Sequence, residues 1–195
     1  NKITLVIAFA IAFFVSLNSF AQIVTSGADD GTDGTLRQEL LDTPSGGTIT
    51  FVGVTTVTLN GELPIIQDVT IAGSPGTTVT IDANSNGRAF NITSGNVTLN
   101  DLTITNGVAP DGGGIYMTGA TVTINDCIIT NNVANATGMP AGSGGGIFND
   151  VGGILVVNNS EISSNTANRA GGGIEDKTAG GATITTTLNN VSLLN

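Results

Sequence analysis

Hydrophobic and polar residues alternate along almost the whole chain after residue 47. Typical runs are Thr48-Ile49-Thr50-Phe51, Val97-Thr98-Leu99-Asn100 and Thr121-Val122-Thr123-Ile124. A period of two is the pattern of a β-strand with one buried face, whereas a helix would place its apolar residues three and four positions apart. Because glycine and asparagine separate the runs at short intervals, the pattern predicts many short strands joined by tight turns.

These runs recur as units. The clearest unit extends from Gly112 to Asn132, and its opening glycine triplet returns at Gly144 and Gly171. Matching apolar positions are 25, 33 and 31 residues apart, at Leu99, Ile124, Val157 and Leu188. Such self-similarity is typical of solenoids, in which no single unit can bury its apolar face alone. About three strands per unit predict the rungs of a parallel β-helix, with loops inserted in the longer units at Ala134 to Ser143 and Asp176 to Ala182.

The rungs resemble the right-handed parallel β-helix repeats of bacterial surface proteins, the group that includes polymorphic outer-membrane-protein-like and adhesin-like chains. The similar segments are the Gly-Gly-Gly-Ile-(Tyr/Phe) openings and the stretch from Asp33 to Leu40, which is similar to the start of many such β-helices but lacks their frequent Cys. This resemblance implies an all-β fold: a right-handed, single-stranded parallel β-helix of the pectate-lyase-like type. It also implies a secreted or cell-surface structural and adhesive module, non-catalytic, whose loops bind a glycan or a protein.

The N-terminal end divides into two predicted parts. Residues 1–21, with Lys2 before an apolar run and Ser19-Phe20-Ala21 at the end, are expected to be a signal peptide, which places the mature chain outside the cell or on the outer membrane. Residues 22–47 are expected to form a cap with a short helix. Thr35 and Gln38 fit a capping box, and Leu36, Leu40 and Leu41 are expected to form one apolar stripe. The β-helix follows over 48–195, and further rungs are expected beyond Asn195.

Charge excludes some partners. The chain has a net charge of −10, only five basic residues and no His. Scattered basic residues cannot form the positive stripe that nucleic acids require, and an acidic surface repels anionic membranes. We therefore expect no nucleic-acid partner and no membrane insertion of the mature chain. Neutral glycans or cations remain plausible ligands.

Asparagines are the most regular polar feature of the rungs. One position is held by Asn100, Asn125, Asn158 and Asn189, and another by Asn106, Asn131 or Asn132, and Asn165. Stacked rungs place equivalent residues about 4.8 Å apart, so each amide can bond to the next along the axis. A structural ladder is predicted.

Acidic residues offer an enzymatic alternative, a polysaccharide lyase or glycoside hydrolase. Asp101 and Asp126 occupy matching positions, so their carboxylates would stack as an acid/base or metal-binding pair. Because Asn159 and Asn190 fill the same position later, a turn explains it better. Glu175-Asp176-Lys177 is the nearest approach to a charged site, although a solvated turn explains it too. No catalytic, cofactor-binding or metal-binding residue is assigned.

Calcium is the one cofactor that the sequence raises as an alternative. Asp29, Asp30 and Asp33 lie in one acidic loop, but the Glu that closes an EF-hand is missing. A plain capping turn is the simpler interpretation, so no cofactor is expected.

Three smaller features complete the prediction. Cys127 aligns with Leu102, Ser160 and Val191 and is expected in the core, without a basic neighbour to activate it. The glycine triplets are expected to allow close backbone packing at a corner.

Outward Thr-x-Thr pairs raise ice binding as a second alternative, at Thr48/Thr50, Thr56/Thr58, Thr78/Thr80, Thr103/Thr105, Thr121/Thr123 and Thr183/Thr185.

Overall fold

Across the residues that the structure describes, the protein is a right-handed parallel β-helix of about six turns with one short helix, which confirms the predicted fold class. The structure, a computed structural model, describes residues 21–74, 76–137, 141–178 and 181–194. The predicted signal peptide lies outside the described residues except for Ala21, and residues 138–140 and 179–180 of the two inserted loops lie outside them too.

Each complete turn of the helix, called a rung here, contributes strands to three parallel sheets in the same order. The long sheet contains β1 (Gln22–Val24), β2 (Gly47–Phe51), β5 (Val69–Ala72), β8 (Asn96–Asn100), β12 (Thr121–Asn125), β16 (Ile154–Asn158) and β20 (Thr185–Asn189). The second sheet contains β3 (Thr56–Thr58), β6 (Val79–Asp82), β9 (Leu102–Thr105), β13 (Ile128–Thr130), β17 (Glu161–Ser163) and β21 (Ser192–Leu194). The third sheet contains β4 (Leu63–Ile65), β7 (Phe90–Ile92), β11 (Ile115–Met117), β15 (Ile147–Asn149) and β19 (Ile174–Asp176). A short sheet between the last two contains β10 (Val108–Ala109), β14 (Val133–Ala134) and β18 (Thr166–Ala167).

Strand register stacks the apolar positions into columns that form the core. Leu99 pairs with Ile124, Ile124 with Val157, and Val157 with Leu188, as the sequence spacing predicts. The first three of these side chains are fully buried. Pro64 lies in β4, at the edge of the third sheet, where a missing N–H is tolerated.

A helix, α1 (Leu36–Asp42), closes the N-terminal end together with β1. Thr35 is its N-cap and accepts a hydrogen bond from the Gln38 N–H, as predicted, but the reciprocal bond comes from the Glu39 carboxylate, which accepts the Gly34 N–H at 2.9 Å. Leu36 and Leu40 are buried. The prediction for Leu41 was wrong: this side chain is 72% exposed, because a residue five positions after Leu36 lies well off the buried stripe of a helix.

Arg37 fastens α1 to the first rung. Its guanidinium forms two 2.7 Å hydrogen bonds with the Asp29 carboxylate and donates to the carbonyl oxygens of Gly61 and Glu62. The Asp29 carboxylate also accepts the Asn60 N–H at 2.7 Å. Since the Asp29 side chain is only 1% exposed, this ion pair is a buried anchor rather than a surface contact.

The glycine triplets form a ladder of bare backbone at the corner before the third sheet. Gly112, Gly144 and Gly171 open the three triplets with φ near +60°, a conformation that favours glycine. The rungs approach so closely that a Cβ on Gly113 would lie 2.6 Å from the Val133 N and O atoms. Close backbone packing, not anion binding, therefore explains the triplets.

Two buried asparagines support this corner from inside. The Asn132 side-chain oxygen accepts the Gly107 N–H at 2.8 Å, and the Asn165 side-chain oxygen accepts the Asn132 N–H at 2.9 Å. The strand register shows which of Asn131 and Asn132 is equivalent to Asn165: it is Asn132. Asn131 is instead equivalent to Asn106 and Ser164, and these three residues have positive φ. The second asparagine position is therefore two positions, one buried and one in a turn.

Candidate functional site

A column of equivalent asparagines on successive rungs, called a file here, runs along the outer side of the long sheet. Asn125 donates to the Asn100 side-chain oxygen at 2.8 Å, Asn158 to Asn125 at 2.7 Å, and Asn189 to Asn158 at 2.8 Å. This is the ladder predicted from the sequence. All three bonds have the same polarity, because each amide donates to the rung before it.

A file of threonines lies beside the amide ladder. Register aligns Thr48, Thr70, Thr98 and Thr123, then Val156, then Thr187. From β2 to β16 these side chains alternate with buried neighbours along their strands and therefore point outward, and register gives Thr187 the same direction as Val156. We call this surface the outer face of the long sheet.

The strand residues on the outer face of the long sheet are uncharged, and carboxylates stand only at its borders: Asp68, just before β5, accepts a hydrogen bond from the Asn96 side chain at 3.1 Å, and Asp101 and Asp126 follow β8 and β12. From β2 to β20 its outward residues are Thr48, Thr50, Thr70, Ala72, Asn96, Thr98, Asn100, Thr121, Thr123, Asn125, Ile154, Val156, Asn158, Thr185, Thr187 and Asn189. The corresponding face of the second sheet includes Asp82 and Glu161. On a chain with a net charge of −10, an uncharged surface of this extent distinguishes one side of the solenoid.

The Thr-x-Thr pairs do not share a single face. Thr48/Thr50 and Thr121/Thr123 lie on the long sheet, whereas Thr56/Thr58 and Thr103/Thr105 lie on the second. The threonines repeat along the solenoid axis, from rung to rung, more regularly than along each strand.

A charged cluster occupies the outer face of the third sheet. The Arg88 guanidinium lies 5.0 Å from the centroid of the Tyr116 ring, and the Tyr116 and Phe148 centroids are 5.7 Å apart at an interplanar angle of 34°. The Lys177 ammonium lies 5.7 Å from the Phe148 centroid. Stacked rungs thus produce a column in the order cation, ring, ring, cation, each contact stabilising by about 1 kcal/mol.

Polar groups of this cluster are mostly engaged with one another. Glu62 accepts hydrogen bonds from Arg88 at 3.0 Å and Asn91 at 2.9 Å. The Tyr116 hydroxyl donates to Asp150 at 2.8 Å, and Lys177 approaches the same carboxylate at 3.6 Å. Burial, followed by this hydrogen bond and the Asp150 charge, raises the pKa of Tyr116 to about 12, so the hydroxyl is a donor at neutral pH and not a base. Phe148 is only 1% exposed. The column therefore ties rungs together, with Phe148 buried and Tyr116 partly exposed.

The structure places Asp101 and Asp126 on neighbouring rungs in register, as the alignment predicts, but does not bring them together with Glu175, Asp176 or Lys177. Asp101 and Asp126 lie at the corner after the long-sheet strands, both with φ of 53°, and Asn159 and Asn190 lie at the same corner with φ of 49° and 53°. The turn interpretation explains this shared conformation. Lys177 follows β19 at the opposite end of the long-sheet strands, beside Asp150. Asp126 is exposed, so its corner supplies none of the desolvation that a catalytic acid requires.

The acidic N-terminal loop does not gather free carboxylates. Asp29 is held by Arg37, and Asp30 accepts hydrogen bonds from the Thr32 N–H and hydroxyl, which lower its pKa. Asp33 is exposed. Within residues 21–74, 76–137, 141–178 and 181–194 there is no group of three His, Cys, Asp or Glu side chains placed to hold a metal ion.

Cys127 is a core residue, as the alignment predicts. Its sulfur lies 3.1 Å from the Asn125 carbonyl oxygen and accepts the Leu102 N–H at 3.4 Å. Burial raises the pKa of the Cys127 thiol to about 12. Thiolate, the reactive form, is therefore scarce at neutral pH.

This burial predicts slow alkylation. In the native protein at pH 8, iodoacetamide is expected to leave Cys127 unmodified over a time that labels the urea-unfolded chain completely. Mass spectrometry of samples quenched in parallel measures both rates. Equal rates in the folded and unfolded chains would contradict the buried position.

Comparison of the chain with protein-family models, curated protein sequences and solved structures finds no match. Among the residues that the structure describes, the one helix is far too short to cross a membrane.

Sequence reasoning missed the column on the third sheet. Its signal was present in the residue that follows each Gly-Gly-Gly-Ile segment: Tyr116, Phe148 and Glu175. Register places these three residues on one line with Asn91. Arg88 and Lys177 lie outside the strands, so the sequence repeat does not predict where their side chains lie.

Proposed function

We propose that this chain is a secreted or cell-surface structural and adhesive module that binds a neutral ligand, a glycan or the uncharged surface of a protein, on the outer face of the long sheet. The observation that carries the proposal is the uncharged outer face itself. It extends across the six strands from β2 to β20.

The outer face of the long sheet differs from the outer faces of the other two sheets in the charge of its side chains. The third sheet has a charged cluster in which most groups bond to one another, although Arg88 Nε and Asn91 Oδ1 are buried without a partner among the described residues, and the second sheet carries Asp82 and Glu161. Threonine and asparagine offer donors and acceptors without charge, and their short side chains lose little entropy when a ligand orders them. The resemblance of the rungs to bacterial surface β-helices supports the same role.

A charge placed on this face is expected to abolish binding. Thr98→Asp puts a carboxylate in the middle of the threonine file, and covering that charge with a neutral ligand carries a desolvation cost. Thr103→Asp is the matched control, since Thr103 is an outward threonine of the same rung on the second sheet. Both variants should fold, because both sites point outward.

The measurement is binding of purified residues 22–195 to an immobilised panel of neutral and acidic glycans, and to glycan-free cell-surface protein. We expect binding to neutral members of the panel that high salt does not weaken. Thr98→Asp should lower affinity at least about tenfold, and Thr103→Asp should leave it unchanged. Equal loss in both variants, binding only to acidic glycans, or no binding to any member would contradict the proposal.

A further inference from the structure

Three Asn-Gly dipeptides lie at one corner of the solenoid, just after the second sheet. Asn60-Gly61 follows β3, Asn86-Gly87 follows β6 and Asn106-Gly107 follows β9. The Val108 N–H donates to the Gly87 carbonyl oxygen at 2.9 Å, so the second and third dipeptides are stacked in register. All three asparagines are exposed to solvent. The same two residues therefore recur in similar surroundings on three successive rungs.

An exposed Asn-Gly dipeptide can lose its side-chain amide without an enzyme. The glycine nitrogen attacks the asparagine Cγ, a new C–N bond closes a five-membered succinimide ring, and the amide nitrogen leaves as ammonia with the proton of the glycine N–H. Water then adds to either ring carbonyl and breaks its bond to the ring nitrogen, which yields aspartate or isoaspartate. Glycine favours the attack because it has no side chain in the way. A hydrogen bond that holds the glycine N–H opposes the reaction.

The Gly107 N–H is held by a buried asparagine of the next rung. The Asn132 side-chain oxygen accepts it at 2.8 Å, and Gly107 and Asn132 are both buried. The Asn132 amide is itself fixed, because it donates to the Ile104 and Thr130 carbonyl oxygens at 3.1 and 3.0 Å. Breaking the bond to Gly107 would leave a buried donor and a buried acceptor unpaired. The attack of the Gly107 nitrogen on Asn106 is therefore opposed.

The Gly61 and Gly87 N–H groups differ from that of Gly107. Neither has an acceptor among the residues that the structure describes, and both glycines are partly exposed. Bonds of the asparagine side chains do not distinguish the three sites, because each of these side chains donates one hydrogen bond. What differs is the glycine N–H, which is held at the third site and not at the first two.

We propose that Asn60 and Asn86 are sites of spontaneous deamidation, and that Asn132 protects Asn106 from the same reaction. One dipeptide has two fates because the solenoid supplies a side-chain acceptor for the glycine N–H in one rung and not in the two rungs before it. Water is the only other reactant, and its oxygen replaces the amide nitrogen that leaves.

Deamidation at these two sites breaks contacts that hold the first rung. The Asn60 side chain donates to the Asp29 carbonyl oxygen at 2.8 Å, and the Asn86 side chain donates to the Leu59 carbonyl oxygen at 3.1 Å. An ionised carboxylate has no proton to donate, so two oxygens face each other where each bond was. Each reaction also adds one negative charge to a chain whose net charge is −10. The solenoid therefore ages from its N-terminal end, whereas the Asn106 corner is preserved.

Incubation of the purified protein at pH 8 tests the proposal, with the guanidinium-unfolded chain as the reference. Digestion with pepsin at acidic pH, followed by tandem mass spectrometry, measures deamidation at each asparagine separately. In the unfolded chain the three sites should react at similar rates, because each asparagine is followed by glycine. In the folded protein Asn60 and Asn86 should react at least about tenfold faster than Asn106.

Two variants, both checked for folding by circular dichroism, test the protecting residue. Asn132→Ala removes the acceptor and should raise the rate at Asn106 at least about tenfold. Asn165→Ala is the matched control and should leave that rate low. Asn165 is the buried asparagine of the next rung, and its side-chain oxygen accepts the Asn132 N–H rather than the Gly107 N–H.

The wild-type comparison decides the proposal whether or not either variant folds. Equal rates at the three sites in the folded protein would overturn it, as would a folded protein in which Asn60 and Asn86 are as inert as Asn106. A folded Asn132→Ala variant in which Asn106 stays inert would overturn the protective role of Asn132.

Discussion

Gly113→Ala is expected to destabilise the solenoid by about 3 kcal/mol or more, at the upper end of the range for overpacking. A Cβ at this position would lie 2.6 Å from the Val133 N and O atoms and 2.7 Å from the Gly145 oxygen. Neighbouring backbone cannot move aside, because the rungs on each side hold it. Urea unfolding followed by far-ultraviolet circular dichroism measures the change.

Gly61→Ala is the matched control for this substitution. A Cβ on Gly61 meets no atom within 4 Å, and the residue is not in a left-handed conformation. Its free energy of unfolding should change by no more than about 0.5 kcal/mol. A Gly113→Ala variant as stable as Gly61→Ala would show that the triplets do not pack as close backbone layers.

Arg37→Ala is expected to lower the free energy of unfolding by about 3–5 kcal/mol, because it leaves the buried Asp29 carboxylate without a cation. The same change removes the hydrogen bonds that join α1 to the Gly61 and Glu62 carbonyl oxygens. Unfolding should therefore begin at the N-terminal cap. Hydrogen exchange would show this as early loss of protection in α1 and β2.

Two variants place the Arg37→Ala result in context. Arg169 and Glu175 form a looser pair at 3.8 Å, with both side chains partly exposed, so Arg169→Ala should cost at most about 1 kcal/mol. The double variant Asp29→Ala/Arg37→Ala should be more stable than Arg37→Ala, since the uncompensated charge is gone. A double variant less stable than Arg37→Ala would contradict the unpaired-charge explanation.

Local pattern and repeat together account for most of the fold. Alternation predicts the strands, and the spacing of Leu99, Ile124, Val157 and Leu188 predicts their register, because a solenoid must stack equivalent apolar positions. The outer asparagine ladder follows from the same alignment. No comparable repeat constrains α1: Leu41 is apolar but exposed, and the residue that completes the cap is Glu39 rather than Gln38.

Most of the residues whose positions the repeat does not predict lie at the corners between the sheets. Rungs differ in length because residues are inserted between the sheets, so the repeat does not fix the positions of Arg88 before β7 or Lys177 after β19. Nor does it show that Asp29 and Arg37, eight residues apart, form a buried pair under a turn of the first rung. The uncharged outer face became visible only when register divided the threonines between two sheets.

Cross-linking of neighbouring rungs tests the central claim, that the rungs stack in the register that aligns the threonines and the asparagines of the outer face. Thr98 pairs with Thr123, and Thr121 lies two residues away on the same strand. Neighbouring strands lie about 4.8 Å apart, within the Cα separation that a disulfide spans. Cys127→Ser provides a suitable background because Ser160 occupies the same column in the next rung.

In that background, mild oxidation of Thr98→Cys/Thr123→Cys should give an intramolecular disulfide, detected by mass spectrometry and by faster migration on a non-reducing gel. Thr98→Cys/Thr121→Cys should remain reduced under the same conditions. A cross-link in the second variant and none in the first would contradict the register, and with it the outer face on which the proposed binding depends.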